Sequence, residues 1–320
     1  MTSTPTANTT PPERVFPLPV ACFGAIHYDI IAHADRMILR DTSTPARIDM
    51  KPGGVATNVA RSLARLGVPV TLTGMIGDDS AGASIQLVLK MEGVGTDLTV
   101  REGYTTGQYL ALHDPDGGLA AACISDTVLS SAPLGLFEAA AQRTSRDGWW
   151  LLDANLSGDA LALLADAAPS CHLAAEAVSI AKAPRLRFIL PKLTLLFLNR
   201  AEAAALSGLP ANTPPDLLSS ALFAQGARNI IITDGARPLH LRTEDLCVFF
   251  PTPQANVVDV TGAGDALVAG TLAALGRGLP LEMAVKAGQE AARIALENPG
   301  AAPANLAWSA VASTLGASKS

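Results

Sequence analysis

The chain has 320 residues, 49% of them hydrophobic and 16% charged, enough apolar material for a large core in one big α/β domain or two smaller ones. Disorder is excluded as its main state, and with 4% aromatics, 27 glycines and 22 prolines, small aliphatic side chains must fill the interior through close helix-on-sheet packing. A net charge of −6 argues against general binding to nucleic acid or to an anionic membrane surface, because both need a surplus of Lys and Arg; a small polar ligand stays open.

Residues 1–13 are rich in Thr and Pro, with no basic start and no apolar run, and read as a disordered tail and not a secretory signal. Residues 14–320 read as one domain without internal repeats. Leu18 to Ile26 is a small-apolar run of the kind a strand buried on both faces shows. A less regular stretch follows from Ile30 to Met50. Val55, Val59, Leu63 and Leu66 then recur at helical spacing, closed by Gly67. Val70 to Ile76 and Ser80 to Glu92 repeat strand and helix. Tyr104 to Ser125 breaks the alternation: two short runs flank Asp114-Pro115-Asp116-Gly117-Gly118, a hairpin signal that predicts a small flap beside the main sheet.

Trp149 to Leu152, Leu195 to Leu198 and Asn229 to Thr233 read as strands between Ala- and Leu-rich helices, which implies a mostly parallel sheet. Leu239 to Leu241 and Leu246 to Phe250 look like an antiparallel pair at one edge. Ala263 to Leu275 and Leu281 to Leu296 are helical. Cys22, Cys123, Cys171 and Cys247 lie too far apart for CxxC spacing and read as free buried thiols. His113, His172 and His240 lack metal-ligand spacing and read as surface or structural. The longest apolar stretch, Phe188 to Leu198, is interrupted by Pro191 and Lys192 and falls short of the roughly 18 residues of a membrane span. A soluble, cytoplasmic protein is expected.

Four segments could carry chemistry. Asp259-Val260-Thr261-Gly262-Ala263-Gly264-Asp265 passes from extended chain into a helix through two glycines, and the N–H groups of Gly262, Ala263, Gly264 and Asp265 would form an anion site needing no side-chain charge. A dinucleotide fingerprint is excluded because Leu267 stands where its third glycine belongs, and a P-loop because Gly-Lys-Ser/Thr is missing. An aspartate among anion-binding donors is unfavourable by charge alone, so Asp265 has either a task of its own, taking a proton from an attacking hydroxyl, or a mere capping role. Gly53-Gly54 with Asn58 one turn later admits a ligand close to the backbone or is a plain turn before a helix. Asn199 and Glu202, just after a strand, form a helix cap or hold metal-bound water. Thr233-Asp234-Gly235 cradles a phosphate or turns the chain.

These residues resemble the ribokinase-like (PfkB) carbohydrate kinase family, from about Val20 to Pro303, chiefly through Gly53, Gly54 and Asn58 and through Asp259 to Asp265. The resemblance implies a three-layer α/β fold with a mostly parallel central sheet and a small β-sheet lid, at about 30–50 and 104–125. It further implies transfer of the ATP γ-phosphoryl to a primary hydroxyl, Mg²⁺ dependence, K⁺ activation, a sugar or nucleoside substrate, and room for a homodimer through the lid. On it, Asp265 is the base and the backbone of Gly262, Ala263 and Gly264 the anion hole. Asn199, Thr233, Gly235 and Gln289 are the ATP-side residues, and Glu202 serves Mg²⁺ through water. Asp259 and Thr261 would bind a monovalent cation, closed by the loop around Asn298 to Ala301. Asp29, Gly53, Gly54 and Asn58 would meet sugar hydroxyls.

Within the family the chain is most similar to the bacterial pseudouridine kinases. Thr106-Gly107-Gln108-Tyr109-Leu110-Ala111-Leu112, Asp153-Ala154-Asn155 and Glu176 to Lys182 carry that likeness and add Thr106, Tyr109 and Asn155 as substrate residues. Glu176, Ala177 and the His27-Tyr28 pair before Asp29 depart from the pattern. The rivals are ribokinase or another sugar or nucleoside kinase (fructose, 2-keto-3-deoxygluconate, adenosine), and more remotely a non-catalytic sensor.

Overall fold

The computed structural model describes residues 16–169 and 172–316; the expected tail at 1–13 and Cys171 lie outside them. In chain order the chain forms β1 (Val20–Phe23), β2 (His27–Ala34), β3 (Ala46–Gly53), α1 (Val55–Arg65), β4 (Val70–Gly77), α2 (Ser80–Met91) and β5 (Gly95–Arg101). Next come β6 (Gly107–His113), β7 (Leu119–Ser125), α3 (Thr127–Ser130), α4 (Leu134–Arg143), β8 (Trp149–Asp153), α5 (Gly158–Ala167) and β9 (Leu173–Glu176). A 3₁₀ stretch over Ala183–Lys192 leads to β10 (Leu195–Asn199), α6 (Arg200–Ser207), α7 (Pro215–Ala224), β11 (Ile230–Asp234), β12 (Arg237–Arg242) and β13 (Cys247–Phe250). The chain closes with α8 (Ala263–Gly276), α9 (Leu281–Leu296) and α10 (Trp308–Gly316).

A nine-stranded sheet runs in the order β13-β12-β11-β10-β9-β8-β1-β4-β5, parallel except for β12 and β13 at one edge. Side chains alternate across it, which makes the three layers. Val20, Cys22, Leu151 and Phe197 face a core shared with α1, α2, α8 and α9. Ala21, Phe23, Leu152 and Leu198 face the opposite core, filled by α4, α5, α6 and α7. A strand clad on both faces reads as a near-continuous apolar run, as β1 does throughout, β8 up to Asp153 and β10 up to Asn199. Trp150 is fully buried there, its ring N–H donating to the Ser145 carbonyl at 2.8 Å.

β3, β2, β6 and β7 form a second, four-stranded sheet. The irregular stretch from Ile30 to Met50 is resolved into β2 and β3, paired antiparallel from His27↔Gly53 to Ala34↔Ala46. Two further strands, β5 and β9, have no counterpart in the sequence reading. β9 is Leu-Ala-Ala-Glu, half of it Ala, a residue depleted from strands, and is one here because its backbone pairs in parallel with β8 and β10 on its two sides. Cys22 is buried as expected, but Cys123 and Cys247 are exposed, since β7 lies open to solvent and β13 is an edge strand. His240 is structural: wholly buried, it lies 2.8 Å from the Ser219 hydroxyl. Among the described residues no helix is long and apolar enough to cross a membrane.

The closest helix contact is α8 on α9. A Cβ at Gly288 would stand 2.2 Å from the Thr271 hydroxyl oxygen and 2.6 Å from the Leu267 carbonyl, and the latter, being backbone, cannot rotate away. Gly288→Ala is therefore expected to cost about 1–3 kcal/mol by overpacking. A denaturant midpoint equal to that of the wild type would show that the two helices can move apart freely.

Candidate active site

Asn155, Asn199, Thr233 and Gly235 lie at the carboxyl ends of β8, β10 and β11, Gly54 and Asn58 at the start of α1 and Gly262 to Asp265 at the start of α8, whereas Asp29 and Tyr109 lie on β2 and β6 of the second sheet and Gln289 on α9. β1 has β4 on one side and β8 on the other, so the chain reverses its direction of travel across the sheet between β1 and β8, and ligands of open α/β sheets bind at such a point. Asp153, the last residue of β8, stands there. Its carboxylate accepts main-chain N–H bonds from Ala25 at 3.1 Å, Ala56 at 3.0 Å and Asn155 at 3.0 Å.

Beside it, the Asn58 amide donates to the Asp265 carboxylate at 2.9 Å. Asn58 lies in α1 and Asp265 in the first turn of α8, so the two glycine-led helix starts meet through side chains. Burial, opposed by the Asn58 hydrogen bond and reinforced by the nearby charges of Asp153 and Asp29, lifts the Asp265 carboxyl to about 7. Burial also lifts Asp29 to about 6 against the pull of Lys51 and Arg61. Gly53 is glycine for a spatial reason: a Cβ there would overlap the Asp29 carboxylate at 2.2 Å. Gly54 opens α1 at φ 103, and its Cβ would fall 2.3 Å from the Ala25 carbonyl. Tyr109 stands opposite Asp29 in the β2–β6 register, on the same face.

On the other side of Asp153, the Lys182 ammonium donates to the Asn155 side-chain oxygen. Burial lowers the proton affinity of Lys182, with Asp153 and Asp126 working against it. His27 is held near 4 by burial and then by Lys182, which makes it neutral, and its Nε2 is buried without a partner. Glu176 is pushed well above the usual carboxylate range by burial and by Glu202, Asp265 and Asp153. Its carboxylate accepts from Val178 N–H at 2.8 Å across a tight turn that Ser179 N–H closes on the Ala177 carbonyl at 2.7 Å. Val178 adopts φ 66, a costly region for a β-branched residue, so the turn is strained where it leads from β9 towards Lys182.

Of the nucleotide-side candidates Thr233, Gly235, Gly264 and Gln289 line a cleft of about 920 Å³, and Asn199 is not among its walls. The Gln289 amide donates to the Pro251 carbonyl at 3.1 Å, fixing that wall. Gly262 opens α8 in the left-handed region, φ 77, with the Ala301 backbone packed where a Cβ would be. Ala263 N–H turns back to the Val260 carbonyl at 3.4 Å, so it is less available to an anion than the sequence reading has it, whereas Gly264 lies on the cleft wall. The Asp259 carboxylate accepts from Thr261 N–H at 2.9 Å and Gly300 N–H at 3.0 Å, joining the 259–261 segment to the loop expected to close on it. Burial alone would raise the Asp259 carboxyl, but these hydrogen bonds outweigh it and leave the group below its ordinary value. Asn199 and Glu202 form a full capping box, each side chain bonding the other's N–H, and Glu202 is 5% exposed with its carboxyl raised by burial.

Thr106 is a correction. Its hydroxyl donates to Asp79 at 2.6 Å and accepts from Gly77 N–H at 3.0 Å, with the residue wholly buried, so it braces the Asp79 cap of α2 where a substrate contact was expected. Asp153, Glu176 and Lys182 are absent from the sequence-derived set of site residues. The signal for Asp153 was available, since an acid ending the run Trp149 to Leu152 marks a strand's carboxyl end. Glu176 closes a run of only Leu-Ala-Ala, too short to read as a strand.

The profile of the pfkB family carbohydrate kinases matches residues 18–308. The pseudouridine kinase of Escherichia coli (strain K12) is 29% identical over 282 residues, 87% of this chain and 90% of that protein. The adenosine kinase of Schizophyllum commune is 27% identical over 303 residues, 85% and 87% of the two chains. The structure of Arabidopsis thaliana ribokinase complexed with ribose and ATP superposes with a TM-score of 0.78 at 21% identity, over 94% of this chain and 99% of that one, a likeness of fold.

Because Asp265 binds its proton more tightly folded, at about 7, than at its ordinary 3.8, the folded state holds more protons across that interval and loses stability as pH rises through it. Asp265→Asn is expected to flatten the fall between pH 4 and 7. Unfolding by denaturant at closely spaced pH values checks this, and an unchanged slope would count against the shift.

Proposed function

The chain belongs to the pfkB family of carbohydrate kinases, and we propose that it transfers the γ-phosphoryl group of ATP to the 5′-hydroxyl of pseudouridine, giving pseudouridine 5′-phosphate. Membership makes it a phosphotransferase with an alcohol acceptor, acting on a small sugar or nucleoside. The observation that carries the reading is the placing of Asp265 beside Asn58 at the start of α8, one residue from the glycine that lines the 920 Å³ cleft.

In the proposed reaction the acceptor oxygen bonds to the γ-phosphorus as the bond to the bridging oxygen of ADP breaks, and the hydroxyl proton passes to Asp265. A carboxyl at about 7 is poised for that exchange near neutral pH. Proton transfer comes late in a loose phosphoryl transfer, so most of the acceleration comes from positioning and charge stabilisation. The α8 start from Gly262 to Gly264 faces the developing charge with backbone dipoles, and Asn199, Thr233, Gly235 and Gln289 hold the nucleotide. Among the described residues no group of three or more His, Cys, Asp or Glu could hold a metal ion by itself. Glu202 is the residue that would hold Mg²⁺, through water. Bound there, Mg²⁺ supplies charge neutralisation. Asp259 and Thr261, tied to the Gly300 loop, suit a monovalent cation such as K⁺.

Asp29, Gly53, Gly54, Asn58 and Tyr109 meet the ribose hydroxyls, and the second sheet acts as a lid that excludes water. Asn155 and Lys182 offer hydrogen-bond groups to the base ring. The 29% identity to a pseudouridine kinase over 87% of the chain supports that base. His27, where the pseudouridine-kinase pattern has Asn, favours a second reading, a different nucleoside or a free sugar. Ile48, Met50 and Leu110, exposed on one face of the second sheet, support a homodimer formed through it.

With ATP and Mg²⁺, pseudouridine is expected to give the highest kcat/KM in a panel with uridine, adenosine, ribose, fructose and 2-keto-3-deoxygluconate. A free sugar leading the panel would replace the nucleoside reading. Asp265→Asn is expected to keep ATP binding by calorimetry and abolish transfer; turnover close to the wild type would remove Asp265 from its proposed role.

A further inference from the structure

Asp153 is wholly buried, yet it is an acid, and burying an ion is costly unless it gains bonds that packing alone cannot provide. The bonds it gains reach three parts of the chain: Ala25 just beyond β1, Ala56 in the first turn of α1, and Asn155 just beyond β8. Two independent features show that the surroundings are built around this carboxylate. A Cβ at Gly24, the residue after β1, would stand 2.2 Å from it, so the glycine leaves the space that the carboxylate fills. α1 starts on Gly54, which has no side chain to cap the helix, and the Asp153 oxygen bonds to Ala56 N–H as an N-cap Ser or Asp would do locally. Two residues beyond Ala56 is Asn58, which donates to Asp265.

We propose that Asp153 is the positioning residue of the phosphoryl-transfer site: by capping α1 from a different strand it sets where Asn58 holds Asp265, and so where the acceptor hydroxyl must lie. It touches neither substrate nor reacting atoms. The claim rests on the reading of Asp265 as the base, and it assigns the acceptor side alone to Asp153, because the nucleotide cleft is walled by residues of β11, α8 and α9 and the 252–260 segment.

Asp153→Asn keeps the volume but turns an NH₂ group towards main-chain donors. Its kcat is expected to fall about 10²-fold, the effect of a misplacement near 1 Å, with a raised acceptor KM and an unchanged Kd for ATP by calorimetry. The acid limb of kcat/KM is expected to shift from its wild-type pH. Asp265 is faced by Asn58 from α1, Asp29 from β2, Asp153 from β8 and Glu176 from β9, and the variant removes one of these acids. Gly24→Ala, which leaves Asp153 in the chain but drives a methyl into its place, is expected to give the same acceptor-side loss and serves if Asp153→Asn does not fold. Folded variants with wild-type kcat, acceptor KM and acid limb would overturn the proposal, as would equal losses on the ATP side or failure of both variants to fold, which would mark Asp153 as structural only. Wild-type protein that phosphorylates none of the acceptors would tell against the proposed reaction instead. Amide exchange at Ala56 and Asn58, expected to quicken in folded Asp153→Asn, then judges the positioning claim without turnover, and unchanged exchange overturns it.

Discussion

One buried carboxylate ties β1, β8 and α1 to one another. Asp153 sits where β1, β8 and α1 converge, and its three main-chain hydrogen bonds tie together elements that are 97 and 128 residues away in the chain. Nothing apolar could do this, because the N–H groups of Ala25 and Ala56 need an acceptor once they are taken out of water. Around it the glycines at 24, 53 and 54 are matters of space: two yield room to the carboxylates of Asp153 and Asp29, and the third turns the backbone into α1 beneath the Ala25 carbonyl.

The same crowding sets the electrostatics. Asp265 feels the charges of Asp153 and Asp29, and Glu176 those of Glu202, Asp265 and Asp153, and burial, the largest influence on each, raises all five. The cationic groups in contact with them are few, Lys51 and Arg61 near Asp29 and Lys182 near Asp153. Such a site is hostile to an anion until cations arrive with it. The net charge of −6 and the proposed handling of a triphosphate are then compatible: backbone N–H groups at the start of α8 and the cations travelling with the nucleotide do what a basic surface would otherwise do.

The second sheet carries a different balance. β7 is exposed along its whole length and β3 along half of it, while Ala32, Ala34 and Ala111 are buried. It is anchored to the main body by the Tyr28–Ser84 hydroxyl pair and by Thr106, whose bonds to Asp79 and Gly77 link β6 to the start of α2 and the end of β4. Thr106 is thus buried where this sheet joins the main body.

The unbroken apolar runs of β1, β8, β10 and β11 were legible because strands covered on both faces leave no position for a polar residue, and the glycine turns before α1 and α8 were legible because only glycine takes those backbone angles or that proximity. β3 was hidden because it faces solvent, and β9 because its alanines have no strand preference of their own and become a strand only between β8 and β10. The same division holds in the site. Asp265, Asn58 and the 259–265 turn stood out as local pattern, and their family resemblance supplied roles that spacing alone left open. That Asn58 and Asp265, 207 residues apart, share a hydrogen bond, that Thr106 is used up by Asp79, and that Asp153 caps a helix begun 99 residues before it are contacts across the sheet. Chain order does not encode those directly; they follow from which strands lie side by side, and only the tertiary structure decides that.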